Sequence, residues 1–231
     1  MNSIKTALIP GANRGIGLET CRQLAEKGFK VFQTARNVQA GEKVVDKLKS
    51  NGRDVQFIEL DVSKEISIKK AAQKFSEFGI ELNVLVNNAA ILIDDVTIFN
   101  TNTELFIKSL ATNSFGPANV INSFLGFMNK GSRIINVSSG AGSVSNMSSY
   151  APLYSVSKAA LNAITKQFAS VLAGKKIAVN SVDPGWVRTD MGGPGAPRSL
   201  SKGAETIVWL AAEAPINLTG KFLKDKREVE W

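Results

Sequence analysis

Seven short runs rich in β-branched residues recur along this chain: IKTALI (4–9), FKVFQTA (29–35), DVQFIEL (54–60), LNVLVNN (82–88), SRIINVSS (132–139), KIAVNSV (176–182) and TGKFL (219–223). Longer amphipathic segments such as GLETCRQLAEKG (17–28) and AGEKVVDKLKSNG (40–52) lie between them. The runs are apolar on both faces, as strands are when helices cover both sides of a parallel sheet. This alternation predicts an open, doubly wound α/β sheet of about seven strands. It also predicts where a ligand sits, because such sheets bind at the carboxyl ends of their strands.

The 231 residues suit a single domain, 1–231, of this Rossmann-type architecture. Linkers, repeats and low-complexity tracts are not evident, and the Gly/Pro-rich stretch MGGPGAPRS (191–199) reads as a loop. One cysteine, Cys21, excludes an intrachain disulfide, and with no histidine a structural zinc site is excluded. No metal is therefore expected. No apolar stretch approaches the roughly 20 residues of a membrane span, and the amino-terminal apolar run is too short for a signal peptide, so a cytoplasmic protein without membrane contact is expected. The net charge is +8, but the basic residues are dispersed, which argues against nucleic acid as a partner.

The first strand runs into PGANRGIG. Gly11, Gly15 and Gly17 fall between strand and helix, where glycines serve either as turn geometry alone or to bring backbone N–H groups onto a phosphate at the positive helix end. Arg14 lies inside this loop and Arg36 follows the second strand. In dinucleotide-binding sheets an acid at that strand end holds the adenosine ribose of NAD, whereas arginine accommodates the 2′-phosphate of NADP. No acid stands there, and two arginines can fork one phosphate. The expected cofactor is NADP(H); the competing reading is a pair of solvated arginines.

A second feature is SSYAPLYSVSKAALNAI, with Tyr154 and Lys158 four residues apart in a helical pattern. Residues at that spacing share a helix face. A free tyrosine has a pKa near 10, and a neighbouring ammonium lowers it, so the pair can do the proton work that histidine does elsewhere. By itself the spacing is that of an ordinary surface pair.

The ordered set GxxxGxG, LDVS, NNAA, NVSS, YSVSK and PGWVRTD resembles the short-chain dehydrogenase/reductase family over nearly the whole chain. DPGWVRTDMGGP and KDKREVEW further resemble its NADPH-dependent carbonyl reductases. Pro10 stands where the family usually has Thr, and Ala90 where Gly is common. The resemblance implies that Asn113, Ser139, Tyr154 and Lys158 are the catalytic set. It implies that Asn13 and Ile16 join the three glycines, Arg14 and Arg36 at the cofactor. Asp61 and Val62 would border the adenine, Asn88 and Ala89 would line the cofactor, and Asn87 would tie adjacent strands together. Tyr154 and Lys158 would also touch the cofactor, with Pro184, Gly185, Val187 and Thr189 around the nicotinamide.

On that basis Tyr154 is the acid for carbonyl reduction and the base for alcohol oxidation, Ser139 donates to the carbonyl oxygen, Lys158 holds the nicotinamide ribose, and Asn113 positions a water that returns the proton. The substrate is expected to be an apolar ketone, aldehyde or quinone in a pocket formed by Ala141, Met147, Trp186 and Met191, although Trp186 equally suits core packing. The animal carbonyl reductases carry a long insertion before the active-site tyrosine and tend to be monomers. Here fourteen residues separate Ser139 from Tyr154, so the helices around TELFIKSLATNSF and YSVSKAALNAITKQF are expected to pair in a homodimer or homotetramer. The alternatives are a reductase of 3-oxoacyl, steroid or sugar substrates, and a non-catalytic NADPH-binding regulator.

Overall fold

A computed structural model of the chain describes residues 4–93 and 96–231. The first half alternates strictly: β1 (Thr6–Ile9), α1 (Gly15–Glu26), β2 (Lys30–Ala35), α2 (Val38–Ser50), β3 (Val55–Glu59), α3 (Glu65–Ser76) and β4 (Val84–Asn87). Next come α4 (Thr103–Leu110), a π-helical turn (Ala111–Phe115), α5 (Gly116–Phe124) and β5 (Arg133–Val137). The chain continues with α6 (Pro152–Leu172), β6 (Ala178–Val182), α7 (Leu200–Ala212), β7 (Phe222–Lys224) and β8 (Arg227–Glu228).

The strands form one sheet in the order β3-β2-β1-β4-β5-β6-β7-β8. All pairings are parallel except β7 with β8. The sheet, expected to hold about seven strands, has eight. The added strand has two exposed residues, RE, with no apolar run to announce it. It forms because Asp225 and Lys226 both take positive φ and turn the chain back on β7.

Two apolar layers hold the sheet. Leu24 of α1, Val45 of α2 and Ile207 of α7 cover one face over Ile9, Val31 and Val86. Phe75 of α3, Phe124 of α5 and Leu172 of α6 cover the other over Leu8, Phe32 and Leu85. Phe75 meets Phe32, Phe124 and Phe127 edge-on, at centroid distances of 4.9, 5.7 and 5.2 Å. Each such contact adds about 0.5–1.5 kcal/mol beyond the area buried. The strand order reverses beside β1, so the connections that follow β1 and β4 leave toward opposite faces of the sheet and open a crevice between them.

Candidate active site

A cleft of about 370 Å³ occupies that crevice. Its floor begins at Gly11, whose φ of +70° is the left-handed conformation that glycine adopts without cost. A Cβ there would lie 2.8 Å from the Cα of Ala89, so β1 and β4 can close to this distance only through a glycine. The Asn88 amide donates to the carbonyls of Pro10 and Gly11 at 3.3 and 2.9 Å and locks the two strand ends together. Pro10 leaves this lock intact because its carbonyl, not its missing N–H, takes part. Ala90 lies in the cleft without a positive φ and needs no glycine. The Asn87 amide donates to the Asn136 side chain at 2.8 Å and ties β4 to β5.

Most of the dinucleotide residues read from the sequence converge on this cleft. Gly11, Asn13, Arg14, Gly15 and Ile16 line one end with Arg36, Asp61 and Val62, while Asn88 and Ala89 form the floor and Tyr154, Lys158, Pro184 and Thr189 the other end. Three lie outside the lining. Gly17 faces the Asn88 amide, which a Cβ would meet at 2.4 Å, and Gly185 packs on the Arg198 side chain. Val187 is buried against Gly203 of α7. Of the substrate residues only Met191 lines the cleft. Ala141, Met147 and Trp186 sit on the neighbouring loops. Trp186 is 60% exposed rather than part of a core, and its indole donates to the Gly192 carbonyl at 2.7 Å.

The lining also includes Ala35, Leu60 and Val137, which end or directly follow β2, β3 and β5. Sequence reasoning left them out, although the strand-end rule finds them without any motif. Leu200 reaches the cleft from the start of α7, and nothing local to the sequence marks it.

The proton-transfer end is built on the first turns of α6. Ala151 takes a left-handed conformation (φ 42°) and redirects the chain, and Pro152 opens the helix at its first position. Tyr154 therefore falls in the first turn and Lys158 one turn on. Ser109, Asn113 and Ser114 then pin this part of α6: the Ser109 and Ser114 hydroxyls donate to the carbonyls of Leu153 and Ser157 at 3.1 and 2.7 Å. The buried Asn113 amide donates to the Ser157 hydroxyl and the Ile91 carbonyl, and its oxygen accepts from the Ile91 N–H. Both amide hydrogens of this side chain, expected to position a water, are taken by protein, while its oxygen accepts one of the two hydrogen bonds open to it. Asn113 sits in the π-helical turn, a distortion frequent at functional sites.

Lys158 is 1% exposed. Its ammonium donates to the Val137 carbonyl at 2.7 Å and lies 5.5 Å from the centre of the Tyr154 ring. Burial lowers its pKa to about 7. Burial likewise pushes the Tyr154 phenol up to about 12, with the Ser139 hydroxyl pulling the other way and the Asp183 carboxylate adding to the rise. Tyr154 keeps an edge open to the cleft, so solvent moderates this shift. The protein alone thus holds the phenol protonated, whereas the sequence had pointed to a phenol acidified by the lysine. The reason is that desolvation penalises both charged forms at once, the phenolate and the ammonium.

The buried lysine has a consequence for stability. Its folded pKa, about 7, lies below the ordinary 10.5. Between these values the unfolded chain holds the proton and the folded chain does not, so this residue makes stability rise with pH across that window and leaves it flat below. A Lys158→Met variant should lack this rise. The check is the difference in Tm between the two proteins, which should shift toward the parent as pH goes from 7 to 10.5.

Comparison with known proteins agrees with this geometry. Residues 5–198 match the model of the short chain dehydrogenase family. The chain belongs to this family. It is 34% identical to carbonyl reductase [NADPH] 1 of Sus scrofa, covering 100% of this chain and 95% of that protein. It is 33% identical to the Homo sapiens protein of the same name, covering 100% and 99%. Among solved structures, the NADPH-bound carbonyl reductase from chicken fatty liver superposes with a TM-score of 0.90 at 28% identity, covering 99% of both chains. Carbonyl reductase Sniffer of D. melanogaster gives the same score and identity, covering 99% and 100%. The alignment with the pig protein spans 286 positions against 231 residues here, so that relative carries residues this short-chain dehydrogenase lacks. Among the described residues no helix is long and apolar enough to cross a membrane, and no group of acidic or cysteine side chains is placed to hold a metal.

Proposed function

We propose that this chain reduces a carbonyl compound to the alcohol with NADPH, with Tyr154 as the proton donor. The observation that carries the reading is the placement of Tyr154 and Lys158 at one end of a cleft whose other end is the glycine turn and Arg36. The cleft fits a phosphorylated dinucleotide. Gly11 lets the first turn pass tight against Ala89, where no Cβ fits, and the end of β2 presents an exposed arginine with no acid beside it in sequence. When bound, NADPH supplies hydride to the carbonyl carbon.

The chain's own residues do the rest. Gly11, Asn13, Gly15 and Ile16 hold the phosphates against the start of α1, and Arg36 takes the 2′-phosphate. Asp61 and Val62 flank the adenine. Pro184 and Thr189 hold the nicotinamide end, with Gly185 and Val187 supporting that loop from behind. Ser139 donates to the carbonyl oxygen and Tyr154 gives it the proton. Lys158 holds the ribose and, with a pKa near neutrality, passes a proton on to the phenol. Asn113 acts by fixing α6. Arg14 is paired with Asp190 at 2.5 Å across the cleft mouth, both side chains being mostly exposed. Such a pair is weak enough for a phosphate to displace it.

The substrate class is an apolar ketone, aldehyde or quinone, held between Ala141 and Met147 on one wall and Trp186 and Met191 on the other. The test is consumption of NADPH, with NADH as control, against a panel of aldehydes, ketones, quinones and 3-oxoacyl thioesters. No turnover with any carbonyl would leave the chain as a nucleotide-binding regulator.

The protein works in the cytoplasm as a homodimer or homotetramer. Ile107 of α4, Phe115 of the adjoining turn and Val171 of α6 are 60%, 55% and 73% exposed, apolar side chains on the elements that a second copy would cover. Sedimentation should give a dimer or tetramer, and Ile107→Glu should shift it toward monomer. A parent protein that sediments only as monomer rules the assembly out.

A further inference from the structure

Trp231 is far in sequence from every residue assigned to the reaction, yet it touches the substrate side. Its ring stacks on Phe222 of β7, with centroids 5.6 Å apart and planes at 26°. The Lys166 ammonium of α6 lies 5.0 Å from its centre on that helix's outer side. Its carbonyl oxygen accepts from the Val144 N–H at 3.0 Å, the Ser145 N–H at 3.4 Å and the Ser145 hydroxyl at 3.0 Å. The loop on which these donors sit follows Ser139 and carries Met147.

That loop has few other restraints. Asn146 and Met147 bond only to Ser143 and Val144, Ser143 meets Ser145, and Tyr150 bonds to Ser148. Among the described residues, every hydrogen bond of 144–149 that leaves segment 143–150 goes to Trp231. Val144 and Met147 are 69% and 39% exposed, so packing does not replace these bonds. At the near end, Gly142 is fixed hard against α6: a Cβ there would lie 2.6 Å from the Lys158 carbonyl carbon, and the Asn162 amide donates to the Gly142 carbonyl at 3.1 Å. Both ends of the wall are tied to α6, at Gly142 and at Tyr150, whose carbonyl accepts from the Ser155 hydroxyl at 2.8 Å, and the span 144–149 between them is hydrogen-bonded from outside by Trp231.

We infer that Trp231 is a positioning residue for substrate specificity: anchored on Phe222 and Lys166, it sets the distance of the 143–149 wall from the cleft and so the size of carbonyl compound admitted. This rests on the pocket assigned under the proposed function. Among the described residues, the ring stack, the cation–π contact and the hydrogen bonds of Trp231 go to Phe222, Lys166, Val144 and Ser145, none of them assigned to the nucleotide, so the effect falls on substrate binding and leaves cofactor binding and the chemical step alone.

The experiment is steady-state kinetics of Trp231→Ala, Trp231→Phe, Lys166→Met and, as a control on the opposite wall, Trp186→Ala, with one small and one bulky apolar ketone. Trp231→Ala loses the stacking and cation–π anchors and is expected to change KM for the bulky ketone by roughly fivefold to tenfold. Its kcat should stay within about twofold and its NADPH Kd unchanged. Trp231→Phe restores the parent KM because the stack survives, and Lys166→Met moves KM in the same direction by less. The inference is overturned if Trp231→Ala binds NADPH normally and keeps the parent KM for both ketones. If Trp186→Ala also leaves both KM values unmoved, the assigned pocket itself fails; if Trp186→Ala moves KM and Trp231→Ala does not, only the role of Trp231 fails. Should Trp231→Ala not fold, the Lys166→Met result decides: an unchanged KM ratio between the two ketones rejects the role.

Discussion

Tyr154→Phe loses carbonyl reduction by a factor on the order of 10²–10⁴ in kcat while binding NADPH as the parent does. The substitution removes one oxygen and keeps the ring that packs at the end of the cleft. The residual rate reflects orientation and the Ser139 hydrogen bond, with solvent supplying the proton. The direction of the pKa shift adds a second expectation. Burial holds the phenol protonated, up to about 12, which is the form reduction consumes. Oxidation of the alcohol consumes the phenolate instead. The reductive rate of the parent should therefore stay high through neutral pH, and the oxidative rate should climb as pH rises toward the phenol pKa. Near-parental ketone reduction by Tyr154→Phe would remove Tyr154 from the chemistry.

Arg36→Ala is expected to weaken NADPH binding by roughly 10- to 100-fold and NADH binding by less than about twofold, the loss of charge-assisted hydrogen bonds worth about 1.5–3 kcal/mol. Arg36 is the residue to test because it is exposed at the end of β2 in the cleft and appears in none of the ion pairs among the described residues. Arg14 is already engaged by Asp190. Its release costs part of what a phosphate would return, so its removal should have the smaller effect. Fluorescence titration with both nucleotides measures the ratio. Equal loss for NADPH and NADH would place Arg36 on the shared pyrophosphate instead, and no loss for either would leave it a solvated surface arginine.

The fold and the nucleotide end were largely legible in the residues. Apolar runs at strand spacing give a parallel sheet, and Gly11 and Arg36 advertise themselves because a left-handed turn and a strand-end cation each demand a particular residue type. The outliers follow the same logic in reverse. Gly17, Gly185 and Val187 belong to motifs of the cleft but serve packing behind it, against Asn88, Arg198 and Gly203. A motif records that a residue type is required without recording which neighbour requires it. β8 escaped notice because two polar residues carry no period.

The sequence by itself determined the order of the elements, the location of the cleft at the strand ends, and the pairing of a tyrosine with a lysine one helical turn on, since all three follow from local periodicity and residue chemistry. Tertiary structure alone decided the protonation balance of that pair, the capture of the Asn113 side chain by Ile91 and Ser157, and the hold of Trp231 on the loop after Ser139. Each of these depends on how far a group is removed from water or on contacts between residues dozens of positions apart, and neither quantity is written in any local stretch of the chain.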